Sequence, residues 1–112
     1  METAEALTAL AALGQPTRLE AFRLLVRHEP EGLPAGDLAQ ALAVPANTLS
    51  AHLNVLSHAG LVRGERRGRS IVYRVAFERV TDLMLYLLKD CCGGRADLCR
   101  PLMAELNPCL TD

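Results

Sequence analysis

The stretch "LAQALAVPANTLSAHLNVLSHAGLVRGERRGRSIVYRV", residues 38–75, runs through three patterns in succession, and their order decides the fold. Leu38 and Leu42 stand four apart and predict a short helix with one apolar side. After a turn at Val44 and Pro45, Leu49, Leu53 and Leu56 repeat at helical spacing until Gly60, a residue type that commonly ends helices, closes the pattern. The β-branched and alternating segments "LVRGERR" and "SIVYRV" then flank Gly68 and Arg69 and read as two short strands of a hairpin. Helix, tight turn, helix and basic hairpin is the order of a winged helix-turn-helix. In that fold the second helix enters the DNA major groove, and the hairpin, or wing, lies along the backbone.

With its leucines inward, the second helix turns Asn47, Thr48, Ser50, Ala51, His52 and Asn54 outward, mostly small polar groups able to reach base edges or phosphates. The start of this helix also offers unpaired N–H groups and a positive dipole end to a phosphate. Residues 61–75 hold five Arg against one Glu, a local basic stripe in a chain whose net charge is −1. Charge distribution governs nucleic-acid binding more than its sum, so Arg63, Arg66, Arg67 and Arg69 are candidate phosphate contacts. His28 and His58 have no ligand-like neighbours and read as ordinary surface residues.

Upstream, "AEALTALAALG" spaces Leu7, Leu10 and Leu13 three apart and predicts a core helix ending at Gly14. Pro16 opens a second core helix, with Leu19, Phe22, Leu25 and Val26 on its apolar side and Pro30 as its stop. Downstream, a helix from about Phe77 to Lys89 carries Val80, Leu83, Met84, Leu87 and Leu88. That face is too broad for the surface of so small a domain, so burial against a second copy is expected. Gly93 and Gly94 interrupt the pattern, "DLCRPLMAEL" reads as one more short helix, and the remainder as tail.

The 112 residues suffice for one small core. No apolar run reaches the roughly 18 residues that a membrane span needs, and the N-terminus lacks the order of a signal peptide, so a soluble cytoplasmic protein is expected. Three of the four cysteines, Cys91, Cys92 and Cys99, fall within "KDCCGGRADLC", residues 89–99; without an export signal, reduced ligand-binding thiols are expected rather than disulfides. Thiolates suit a thiophilic ion. Trivalent arsenic or antimony takes three in a pyramid, whereas zinc usually wants four ligands. Cys91, Cys92 and Cys99 supply three, and Gly93-Gly94 lets the backbone fold Cys99 back toward the pair. Cys109 is a candidate fourth ligand for cadmium, lead or zinc, and a thiol-oxidation switch is a further alternative. An oxidoreductase is not expected: there is no Cys-x-x-Cys, no βαβ scaffold and no cofactor loop.

Ser50, His52, Leu53 and Leu56, followed by Ala59, Gly60, Leu61 and Val62, match the Ser-x-His-Leu-x-x-Leu and Ala-Gly-Leu-Val signature of the ArsR family of metal- and metalloid-responsive bacterial repressors, and "ALGQPTRLEAFRLL" matches that family's opening. The chain resembles the family over about residues 7–88. The resemblance implies a mainly α winged helix-turn-helix, a homodimer paired through its first and last helices, and a repressor that leaves a palindromic operator when its ion binds. It also departs from two familiar patterns. Many arsenic repressors carry Cys-x-Cys before Asp-Leu in the third helix, where "PAGDL" has no cysteine, and zinc-sensing members use Asp and His pairs on a last helix that here contains no His. The vicinal Cys-Cys with a later Cys is similar to an alternative arsenite site beyond the last helix. The expectation is therefore a DNA-binding and dimerisation domain at residues 1–90 and a sensor segment with tail at 91–112. As(III) or Sb(III) is the expected inducer, operator DNA and a second copy are the expected partners, and neither an organic cofactor nor a membrane is expected.

Overall fold

The structure is a computed structural model that describes residues 1–88 together with Arg100, Pro101 and Glu105. In chain order, α1 (Thr3–Leu13) and α2 (Pro16–Arg27) lead into β1 (Leu33–Pro34), α3 (Ala35–Leu42) and α4 (Ala46–His58). The hairpin β2 (Val62–Arg67) and β3 (Ser70–Val75) follows, and then α5 (Phe77–Leu88). This is the expected winged helix-turn-helix. The hairpin belongs to an antiparallel sheet of order β1-β3-β2, in which Leu33 and Pro34 pair with Tyr73 and Val72. Two residues are too short to leave a periodic signal, so β1 was not legible in the sequence.

Leu25, Leu38, Leu49, Leu53, Leu56 and Leu61 are fully buried and form the core between α2, α3, α4 and the base of the sheet. Both helices of the helix-turn-helix end in paired capping bonds that satisfy their last carbonyls. At the end of α4, Gly60 N–H donates to the Ser57 carbonyl at 2.9 Å and Leu61 N–H to the Leu56 carbonyl at 3.0 Å, with Gly60 at φ +80°. The positive φ favours glycine, and a Cβ there would lie 2.7 Å from Arg79 Nε, so that side chain would have to move as well. At the end of α3 the same pattern, Ala43 N–H to Gln40 and Val44 N–H to Ala39, places Ala43 at φ 55°. A side chain in that left-handed region costs roughly 1–2 kcal/mol. Ala43→Gly relieves the strain at some cost in unfolded-chain entropy, so a net gain of about 0.5–1 kcal/mol, a few degrees in melting temperature, is expected by calorimetry.

The first helix buries a different line of residues from the one expected. Ala6, Ala9 and Ala12 face the core, whereas Leu7 is 61% exposed and Leu10 also points outward. Alanines allow α1 to approach its neighbours closely, and that leaves Leu7 and Leu10 outward, while Leu13 packs partly against the core as expected. In α2, Leu25 is buried and Phe22 packs partly against the core, but Leu19 and Val26 are exposed. In α5, Leu83 is buried in its own protomer at 6% exposure, and Val80 packs partly beside it. The outward apolar residues are Phe77 at its start and Met84, Leu85, Tyr86 and Leu87 toward its end.

Helices α1 and α5 lie against each other, with Thr3 Oγ1 and Tyr86 Oη 2.6 Å apart and Arg79 Nη1 donating to Glu5 Oε2 at 3.0 Å. The Glu2 backbone N–H, and then the Arg79 guanidinium, hold the Glu5 carboxyl below its ordinary range. A depressed value means that this tie is present above the ordinary carboxylate range and is lost as pH falls through the lowered one. Among the described residues no helix is long and apolar enough to cross a membrane.

Candidate nucleic-acid interface

Helix α4 is oriented by its three buried leucines, which leave Asn47, Thr48, Ser50, Ala51 and Asn54 exposed on the other side. Its N-cap is Pro45, which provides no side-chain cap, and its first turn contains no acidic residue. The first intrahelical donor bond is Leu49 N–H to the Pro45 carbonyl at 3.0 Å, so the preceding N–H groups of the turn point along the axis at whatever lies beyond it. An uncapped, carboxylate-free helix start suits a phosphate oxygen. His52 is the exception on this face. It is half-buried, with Nδ1 3.3 Å from Arg18 Nη1, a partner from α2 that carried no signal in the spacing of the sequence.

The wing is closed by Gly68 and Arg69 between the paired residues Arg67 and Ser70. Gly68 takes φ +64° at the first central position, as a two-residue type II′ turn requires. The hairpin's arginines divide by position. Arg63 pairs with Glu78 at the start of α5, and Arg67 with Glu65 at 3.3 Å on the same face of β2. Arg74 donates to Glu29 Oε2 at 2.9 Å, while Glu29 Oε1 accepts the Val75 N–H at 3.2 Å, so one carboxylate fastens the base of β3 to the end of α2. The Glu29 carboxylate holds the Arg74 guanidinium above its ordinary range. Arg63 and Arg74 stand opposite each other in the ladder and line, with Glu29 and Glu78, a cavity of about 510 Å³. Like charges directly opposite repel, and the flanking carboxylates offset this.

Arg66 and Arg69 have no acidic partner among the described residues. They are the cations of the wing free to meet DNA, Arg69 at the tip. The basic stripe is thus narrower than five arginines suggest, since three of them are shared with carboxylates.

From this division, Arg66→Ala and Arg69→Ala are expected to weaken operator and random DNA about equally and to flatten the dependence of affinity on salt by about one counterion each. Arg67→Ala, whose charge is already shared, should do less. Asn47→Ala and Ser50→Ala should erode the preference for operator over random DNA, because helix contacts to bases carry the sequence information. Fluorescence anisotropy at several salt concentrations separates the two effects, and equal losses of preference from both sets would contradict the assignment.

The sensor residues Cys91, Cys92 and Cys99, the candidate fourth ligand Cys109, and the expected boundary at residues 90–91 lie outside the described residues. Of the short helix expected over residues 97–106, Arg100, Pro101 and Glu105 are described, each helical. Among the described residues no three His, Cys, Asp or Glu side chains group as a metal site would need.

A sequence model of a helix-turn-helix domain matches residues 13–65, from the end of α1 into β2. The chain is 41% identical over 81 residues to the HTH-type transcriptional regulator NmtR of Mycobacterium tuberculosis, an alignment covering 72% of this chain and 65% of NmtR. It is 38% identical over 76 residues to the HTH-type transcriptional repressor SmtB of the same organism, covering 68% of this chain and 54% of SmtB. The chain therefore spans less than two thirds of the length of these curated relatives. A solved structure of an ArsR-like transcriptional regulator from Rhodococcus sp. RHA1 superposes with a TM-score of 0.70 at 32% identity, covering 93% of this chain and 92% of that one.

Proposed function

The chain belongs to the ArsR-like family of winged-helix transcriptional regulators, and from that premise we propose that it is a homodimeric repressor released from its operator by trivalent arsenic or antimony held on Cys91, Cys92 and Cys99. The observation that carries the choice of ion is the donor set: three thiols within residues 91–99, beginning three positions beyond the end of α5. A pyramidal three-thiolate site suits an ion with a lone pair, and soft donors favour it over oxygen-seeking cations. The polar face of α4 and the free cations Arg66 and Arg69 support operator binding, and the sign of regulation follows the relative SmtB, a repressor by name. The outward apolar residues Leu7, Leu10, Leu85 and Leu87 on the adjoining α1 and α5 support pairing with a second copy. Two copies related by a two-fold axis offer two α4 helices to half-sites about one DNA turn apart.

Closing three thiolates around one ion immediately after α5 reshapes the end of a helix that also packs on α1, and so alters the spacing of the two reading heads. Such coupling typically amounts to about 1–3 kcal/mol and is reciprocal, so operator DNA weakens metalloid binding by the same factor. With Cys109 as a fourth thiol the same segment would suit cadmium, lead or zinc. Titrating the operator-bound dimer with arsenite while counting free thiols tests the choice: release with three thiols lost per protomer supports arsenic. Release only by a divalent ion with four thiols lost, or only by an oxidant, replaces it.

A further inference from the structure

Arg18 is held at three points. Its backbone N–H donates to Gln15 Oε1 at 2.8 Å in the first turn of α2, its Nε–H donates to the Ala12 carbonyl at the end of α1 at 2.6 Å, and its Nη1 lies 3.3 Å from His52 Nδ1 on α4. A guanidinium has donors only, so in the last contact Nδ1 must be the acceptor. A neutral imidazole whose Nδ1 accepts carries its proton on Nε2. Among the described residues His52 Nε2 has no protein partner, and Arg74 Nε is the one buried side-chain nitrogen or oxygen left without any. His52 Nε2 is therefore reached by solvent, on the helix whose neighbouring residues Ser50, Ala51 and Asn54 are exposed.

We propose that Arg18 is a positioning residue for DNA recognition: by occupying His52 Nδ1 it fixes the imidazole in the Nε2–H tautomer and aims that single N–H as a donor at the DNA. The assignment rests on the reading of α4 as the helix that enters the groove, and it adds how one of its side chains is prepared. The Ala12 carbonyl and the first turn of α2 fix the guanidinium plane, so the imidazole meets a donor already set in place. A flexible ammonium offers no such plane. The acceptor on DNA is a phosphate oxygen or a purine base edge.

The test begins without DNA. In ¹⁵N-histidine-labelled dimer at about pH 8, where an ordinary imidazole is neutral, two-bond proton–nitrogen correlations should show His52 in the Nε2–H form alone, and Arg18→Met should add an Nδ1–H population. On operator DNA, Arg18→Met should lose about tenfold in affinity, within the range of one base or phosphate contact. It should lose almost nothing further in a His52→Ala background. His52→Gln, whose amide nitrogen falls near Nε2, should retain most of the affinity, and His52→Asn, whose amide falls near Nδ1, should not. If the loss in Arg18→Met also appears on random DNA the acceptor is a phosphate, and if it is confined to operator it is a base; either agrees with the proposal. An Nδ1–H form in the parent, losses from Arg18→Met and His52→Ala that add in full, or equal behaviour of the Gln and Asn variants overturns it. Should Arg18→Met fail to fold, the parent spectrum and the two His52 variants decide alone. A parent that binds no DNA overturns the reading of α4, while the tautomer still stands or falls by its own spectrum.

Discussion

Serine in place of Cys91 or Cys92 leaves the ion-free protein bound to its operator with parental affinity and raises the arsenite concentration that releases half the DNA by at least tenfold. The two halves of this expectation have separate physical grounds. The thiols follow α5 in the sequence, whereas the proposed reading head is α4 and the wing, so exchanging sulfur for oxygen is expected to leave the DNA contacts unchanged. A serine hydroxyl is neither deprotonated near neutral pH nor soft, so the arsenic loses one of three bonds. The weaker ion binding raises the concentration required, and whatever part of the coupling of about 1–3 kcal/mol, roughly 5- to 150-fold, depends on the third bond is lost as well. Cys99→Ser should be milder with methylated arsenite, which has only two open positions, and Cys109→Ser should respond almost like the parent. Anisotropy without metalloid and a release titration for each variant decide between the outcomes. Normal release in Cys99→Ser with loss in Cys109→Ser shows a different ligand set, and normal release in all four removes the cluster from sensing.

Aspartate at Leu87 or at Leu7 separates the dimer and lowers operator affinity by two orders of magnitude or more. Both side chains are exposed in the isolated protomer, at 47% and 61%, so the substitution costs the single chain little. In the proposed dimer the carboxylate would be buried against apolar surface without a partner, which is costly enough to dissociate the two copies. A monomer then binds one half-site at a time and loses the effective concentration that a tethered second head provides, worth about 10²–10⁴ in favourable geometry. Leu83→Asp is the informative contrast. Leu83 is 6% exposed inside its own protomer, so its replacement should unfold the chain rather than merely split a dimer. Sedimentation velocity with circular dichroism distinguishes the two, and a Leu87→Asp protein that remains dimeric with parental operator affinity shows that this face is not the contact.

The individual arginines of the wing show where reading a sequence stops short. Five arginines in residues 61–75 announce a basic hairpin, but Glu29 and Glu78, which hold Arg74 and Arg63, lie outside that window. Glu78 is only 15 positions from Arg63, whereas Glu29 is 45 from Arg74 in sequence. No local rule connects an acid at the end of α2 to a base on β3. The same holds for Arg18 and His52, 34 positions apart. Each of these six residues was visible as a charge or an imidazole, and what the folded chain added was which neighbour each one has.

By itself the sequence determined the order of the five helices and the hairpin, though not β1, because helix and strand periods are local: the leucine spacing of α4, the Pro16 start of α2 and the alternation across Gly68 each fix backbone geometry within a few residues. It also determined the polar face of α4 and the donor chemistry of the cysteines, since both follow from residue type and spacing. The tertiary structure alone decided which of two apolar lines on a helix belongs to the protomer. On α1 the alanines turn inward because small side chains permit close packing, and Leu7 and Leu10 are left at the surface. On α5, Leu83 turns inward while Leu85 and Leu87 do not. A period gives the direction of a face only relative to its own helix axis. Its direction relative to the core depends on how every other element packs, and that information is distributed over the whole chain.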